Sequence, residues 1–139
     1  MRRALIFMAW ALLAVVALRS PLEAADKEAG RVFEMRTYIA NDGKLDSLNE
    51  RFRKHTNRLF EKHGMTLIGY WTPTDGPEAK TTLVYILAFP SRAARDKSFE
   101  DFQNDPEWKE AKAASEKDGP LVKEVKSLFL APTDYSAIK

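Results

Sequence analysis

Glu34, Arg36 and Tyr38 alternate with apolar residues along Arg31–Ile39, opposite Phe33, Met35, Thr37 and Ile39. Alternation with period two is strand periodicity, so the three polar groups share one strand face. Together they could grip an anionic or carbonyl group, with Arg36 as donor and Tyr38 as donor or acid. A charge buried without a partner is costly. The alternative is therefore an ion pair across the sheet or a subunit boundary, and the sequence weighs towards pairing. Tyr70, Trp71 and Tyr85 add amphipathic aromatic surface that could line a ligand cavity or simply pack. His55 and His63 are candidate acid–base groups. They lie eight residues apart, about 12 Å along a helix, close enough in angle to share a face but too far apart for one metal ion. A hydrogen-bonded histidine at a helix–sheet boundary is the competing reading.

The remaining chemistry is bounded by what the sequence lacks. There is no cysteine and there are two histidines among 139 residues. Disulfides, thiol nucleophiles and Cys-based metal centres are excluded, and a His-rich metal site is disfavoured. Phosphate-loop, dinucleotide, nucleophile-elbow and zinc-protease motifs do not occur. The sequence therefore assigns no metal and no cofactor.

The groups that would position these residues follow a targeting segment. Met1-Arg2-Arg3 precedes an uncharged apolar run, Ala4–Leu18, which Arg19-Ser20-Pro21 breaks. Basic, apolar, then polar with small residues is the order of a secretory signal. The run is short for a membrane span, which needs about 20 residues. Residues 1–24 are read as a signal peptide, 25–31 as a polar lead-in, 32–132 as the domain and 133–139 as a C-terminal tail. The expected location is periplasmic or secreted, with no stable membrane span after cleavage. Residues 1–24 hold Arg2, Arg3 and Arg19 against Glu23, so their removal takes the formal charge from +2 to zero. No basic footprint for nucleic acid remains.

A strand at Arg31–Ile39 is followed by a helical pattern over Lys44–His63, with Leu45, Leu48, Phe52, Leu59 and His63 in one stripe and His55 filling its gap. Met65–Thr72 and Lys80–Phe89 read as a hairpin around the Pro73–Pro77 tip. Ser91 caps a helix over Arg92–Asn104, with Ala94, Phe99 and Phe102 as its inner face. Asp105 and Pro106 start a second, short helix to about Lys117, and Leu121–Leu130 is the last strand. The order is β-α-β-β-α-β, an α+β ferredoxin-like fold with four antiparallel strands and helices on one face. Packing Phe33, Met35 and Ile39 on the helices would turn Glu34, Arg36 and Tyr38 to the other face of the sheet. Leu83–Phe89 and Leu128–Leu130 are apolar on both faces, although a half-solvated strand should alternate. Exposing such side chains forfeits about 1.5–3 kcal/mol each. The economical solution is a homodimer through the open sheet face, a dimeric α+β barrel.

Phe33-Glu34-Met35-Arg36-Thr37-Tyr38, Gly69-Tyr70-Trp71 and Asp105-Pro106-Glu107-Trp108 resemble the NIPSNAP domain, a family within the dimeric α+β barrel group. The resemblance spans about Val32 to Pro132. It implies the ferredoxin-like fold and a dimer, and carries no agreed reaction. The function read from the sequence is an exported domain that binds a small molecule or protein partner as a homodimer. The alternative is a cofactor-free monooxygenase- or isomerase-like enzyme of the same barrel group.

Overall fold

The computed structural model describes residues 30–139; the segment read as a signal peptide and most of the lead-in lie outside them. Four strands, β1 (Val32–Ala40), β2 (Thr66–Trp71), β3 (Thr82–Phe89) and β4 (Val122–Leu130), form one antiparallel sheet in the order β2-β3-β1-β4. Between β1 and β2 the chain is helical: α1 (Leu45–Arg51), a π-helical turn (Phe52–Thr56) and α2 (Asn57–Lys62) follow without a break. A 3-10 turn (Pro77–Lys80) occupies the hairpin connection. Helices α3 (Arg92–Asn104) and α4 (Pro106–Ser115) link β3 to β4. This is the ferredoxin-like α+β order expected from the sequence, with β1 and β3 central.

Local signals explain the element ends. The backbone turns after α2 at Gly64, where φ is 78° and a side chain would be strained. There the Met65 amide donates to the Phe60 carbonyl at 3.0 Å and the Gly64 amide to that of Glu61 at 3.0 Å, which satisfies two terminal acceptors. Ser91 Oγ accepts from the Ala94 amide at 3.1 Å, capping α3. Asp105 Oδ1 accepts from the Glu107 amide at 2.8 Å and caps α4, whose first residue is Pro106.

The first helical segment departs from a simple α pattern. A π turn closes i→i+5 and advances the chain by one extra residue, so the buried stripe changes phase. Thr56, Leu59 and Phe60 are buried after the turn, while His55 falls out of the stripe and is half-buried. Thr56 Oγ1 donates to the Arg51 carbonyl at 3.3 Å across the turn.

The two sheet faces are exchanged relative to the sequence expectation. Tyr38 and Ala40 of β1, with Leu83, Tyr85, Leu87 and Phe89 of β3, belong to the core against the helices, together with Leu48, Phe52 and Phe60. Register places Glu34 opposite Leu87, Arg36 opposite Tyr85 and Tyr38 opposite Leu83, so all three polar residues point towards the helices. Met35, Thr37 and Ile39, opposite Ile86, Val84 and Thr82, lie on the open face. The reason is the composition of β3, whose larger apolar set packs under the helices and fixes the side of its β1 partners. On the open face Trp71 (52%) and Leu128 (53%) are exposed. The tail after β4 folds across one end of that face. Phe33, Ile68, Ile86 and Leu130 meet Pro132 and Ile138 around an apolar pocket of about 320 Å³.

Candidate functional site: the cleft between sheet and helices

Glu34 is fully buried and fully partnered. Its carboxylate accepts two 2.7 Å hydrogen bonds from Arg95 Nε and Nη2, one of 2.7 Å from Arg36 Nη1 and one of 2.6 Å from Ser127 Oγ. Arg95 comes from α3 and Ser127 from β4, so this carboxylate ties three elements together. Burial pushes its pKa up, but the bonds from Arg95, Ser127 and Arg36 overcome that and hold it below the usual 4.5. Both guanidiniums lie over the Phe99 ring, 4.8 Å (Arg36) and 4.4 Å (Arg95) from its centroid, where the ring quadrupole adds attraction.

Arg36 is shared between this cluster and a second one. Its Nε donates to the Tyr85 hydroxyl at 3.0 Å and its Nη2 to the Tyr38 hydroxyl at 3.5 Å. Tyr85 stacks on Tyr70 with centroids 5.4 Å apart and meets the edge of Tyr38 at 5.2 Å. Phe52 of the π turn packs against all three tyrosines. Burial is the main reason that the Tyr85 phenol is held well above its ordinary pKa, so it stays protonated; the neighbouring Tyr38 pushes the same way and the Arg36 charge opposes. Burial likewise raises that of Tyr70, whose hydroxyl has no protein partner among the described residues.

Two chambers open beside these clusters, between the sheet and α3–α4. One, of about 390 Å³, is lined by Arg36, Tyr38, Phe99, Gln103, Trp108 and Lys109. The other, of about 300 Å³, has Arg51, Phe52, Phe60 and Glu116 in its wall. Tyr38, Phe102, Trp108 and Lys112 border both, which makes them neighbouring lobes of one cleft. Trp108 packs on Phe102 at 4.4 Å, so it anchors α4, as the sequence indicates, and lines the cleft as well.

Of the residues singled out in the sequence, Arg36 and Tyr38 reach the cleft. Glu34 and Tyr85 sit behind them as supports, and Tyr70 packs in the core rather than lining a barrel. The histidines are elsewhere. His63 Nε2 is 2.7 Å from Asp105 Oδ2, which also receives Lys62 Nζ at 2.7 Å; this is the hydrogen-bonded boundary histidine of the competing reading. His55 borders an open surface groove between α1 and α4. Arg51, Lys109 and Lys112 are cleft residues that sequence reasoning missed. The i, i+4 spacing of Trp108 and Lys112, with Lys109 beside them, was the available signal. No cluster of three or more metal-ligating side chains occurs among the described residues, and none of their helices is long and apolar enough to cross a membrane.

Comparison with known proteins agrees with this architecture. A NIPSNAP-like domain protein from Burkholderia xenovorans superposes with a TM-score of 0.67 at 19% identity, over 78% of this chain and 90% of that one. A NIPSNAP family protein of unknown function from Agrobacterium tumefaciens gives 0.69 at 22% identity, over 80% and 96%. SnoaB, a cofactor-independent oxygenase from Streptomyces nogalater, gives 0.50 at 9% identity, over 79% and 99%, a likeness of fold alone. No curated protein sequence matches the chain. The NIPSNAP family model matches residues 33–137, which takes in the sheet from the second residue of β1 onward and α1 to α4. The chain belongs to the NIPSNAP family.

Proposed function

We propose that this NIPSNAP domain is an exported homodimer that binds an organic small molecule in the cleft between its sheet and helices. The observation that carries the reading is the pairing of the Arg36 guanidinium and the Tyr38 hydroxyl on the wall of the 390 Å³ chamber. Buried Glu34 and Tyr85 hold that guanidinium from behind, so it faces the chamber preorganised. Export rests on the Arg-Arg start and apolar run of the first 24 residues. Dimerisation rests on the open sheet face, where Trp71, Leu128 and Leu130 are exposed while α1 to α4 pack on the opposite side.

The enzyme alternative is less well supported. A cofactor-free oxygenase or isomerase needs a general acid or base at the reacting atom; Tyr38 borders the cleft as a candidate acid, but the candidate bases His55 and His63 stand outside it. Native mass spectrometry of protein purified from its own host tests the proposal in one experiment. Twice the mature chain mass plus a retained adduct is expected, with the adduct lost in Tyr38→Ala. An adduct-free monomer starting at Met1 would overturn it.

A further inference from the structure

The 390 Å³ chamber carries positive charge on its sheet side and on its helix side, and no carboxylate lines it. The acidic residues of the cleft, Glu116 and Glu124, line the other lobe. On the sheet side stands Arg36 of β1, and on the helix side Lys109 of α4; neither borders the other lobe. Lys112 stands on the partition between the two. The Arg36 side chain keeps 13% exposure. Three of its five N–H groups are spent, from Nε on the Tyr85 hydroxyl, from Nη1 on Glu34 and from Nη2 on the Tyr38 hydroxyl. One N–H remains on each terminal nitrogen. Its one carboxylate partner, Glu34, is shared with Arg95, which takes two of the bonds. Lys109 is exposed. Glu107 and Glu116, at the two ends of its helix, pair with Arg58, Lys62 and Arg51 and leave Lys109 aside.

The wall between these two cations is aromatic, made by Tyr38, Phe99, Phe102 and Trp108, and suits a flat ring. Side-chain acceptors on it are few, the Tyr38 hydroxyl and the Gln103 carbonyl, whereas every polar side chain there can donate. A fitting ligand is therefore rich in acceptors and carries negative charge towards both sides. A carboxylate brings one charge to each cation, while a phosphoryl group would place nearly two at one of them. From this we infer that the chamber takes an aromatic dicarboxylate. Its ring lies against Phe102 and Trp108, one carboxylate accepts from the remaining Nη N–H groups of Arg36, and the other faces Lys109, whose flexible stem lets the ammonium follow it. The inference rests on the binding function proposed above and names its ligand class.

The test uses the full chain expressed and processed in its host, dialysed against high salt and titrated calorimetrically with 2,6-naphthalenedicarboxylate, 2-naphthoate, 2-naphthyl phosphate and adipate. The expected result is one dicarboxylate per chain, bound roughly fivefold tighter than 2-naphthoate, the contribution of one exposed ion pair. The naphthyl phosphate and adipate should be weaker as well, and added salt should narrow the gap between the two naphthoic acids. Lys109→Met should bring the dicarboxylate down to the affinity of 2-naphthoate and leave 2-naphthoate unchanged. Gln103→Glu places a carboxylate on the wall and should weaken both acids. Both positions are exposed, so these variants keep the core intact, whereas Arg36→Met also loosens the fold. Equal binding of 2-naphthoate, the phosphate or adipate would overturn the dicarboxylate site, as would a Lys109→Met protein that keeps the parent's preference. If the dicarboxylate does not bind the parent but native mass spectrometry still finds a Tyr38-dependent adduct, the ligand class falls and the binding function stands. If neither is seen, both fall.

Discussion

Glu34 and Arg95 lie 61 residues apart and are joined fork to fork by two 2.7 Å hydrogen bonds. The carboxylate of one central strand is thereby clamped to the helix that follows the other. Such a bidentate pair fixes direction as well as distance, so it locks α3 over the sheet at the wall of the cleft.

Removing one guanidinium leaves the other in place, which sets the size of the effect. Arg36→Met should destabilise the protein by about 2–3 kcal/mol, below the roughly 3–5 kcal/mol of a pair broken outright. Arg95→Met, which loses two hydrogen bonds to Glu34 instead of one, should cost more. Urea unfolding at equal chain concentration measures both, since a dimer's midpoint moves with concentration. An Arg36→Met protein as stable as the parent would show that Arg36 is not part of the clamp.

Glu34 also sets an acid limit. Its pKa is lowered in the folded state, so the stability it contributes is complete above about pH 4.5 and is lost as the pH falls through the lower folded value. The parent should lose stability steeply on acidification below pH 4.5. Glu34→Gln should be weaker at pH 7 and show a shallower fall, read from thermal midpoints between pH 7 and pH 3. Parallel profiles would remove Glu34 from the acid response.

The open face gives a third test. The Trp71 ring lies over Gly69, where an added Cβ would stand 2.6 Å from the ring. Gly69→Ala must therefore push the indole off the sheet. If this face pairs with a second copy, Gly69→Ala should weaken the dimer and Leu128→Glu should abolish it, with light scattering falling from twice the chain mass to once. A Leu128→Glu protein that keeps the parent's mass would place the interface elsewhere.

The helix caps offer a local control. Ser91→Ala removes the acceptor for the Ala94 amide and should cost about 1 kcal/mol. The retained adduct in native mass spectra should be unchanged, because Ser91 borders neither lobe of the cleft.

Element order and most boundaries were legible because they rest on local signals: period two along β1, the caps at Ser91 and Asp105, and Gly64 after the helix. The direction in which Glu34 points was not. Alternation divides a strand into two faces without saying which one meets the helices, and the apolar set of Met35 and Ile39 looked like the inner one. What makes the polar set acceptable inside is Arg95 and Ser127, 61 and 93 residues from Glu34, a pairing that no local pattern announces. His55 was misplaced for a different reason. A single helical period through Phe52–Thr56 puts His55 in the buried stripe, and the π turn shifts that period by one residue. Arg51 escaped notice for another cause: it stands three residues after Leu48 at the edge of the buried stripe, before the π turn, and the partners that make its charge acceptable there, Ser115 and Glu116, lie 64 and 65 residues away.

At the tail, Arg31 Nη1 donates to the Lys139 carbonyl at 3.0 Å, so the residue before β1 and the last residue of the tail lie side by side. The polypeptide between them is almost a closed ring. A short peptide joining Lys139 to Arg31 would complete it, and the ring could be reopened at the exposed Thr74–Gly76 tip. New ends there would leave every strand and helix whole, and the circularly permuted chain would carry its termini at the far end of the hairpin from the old ones.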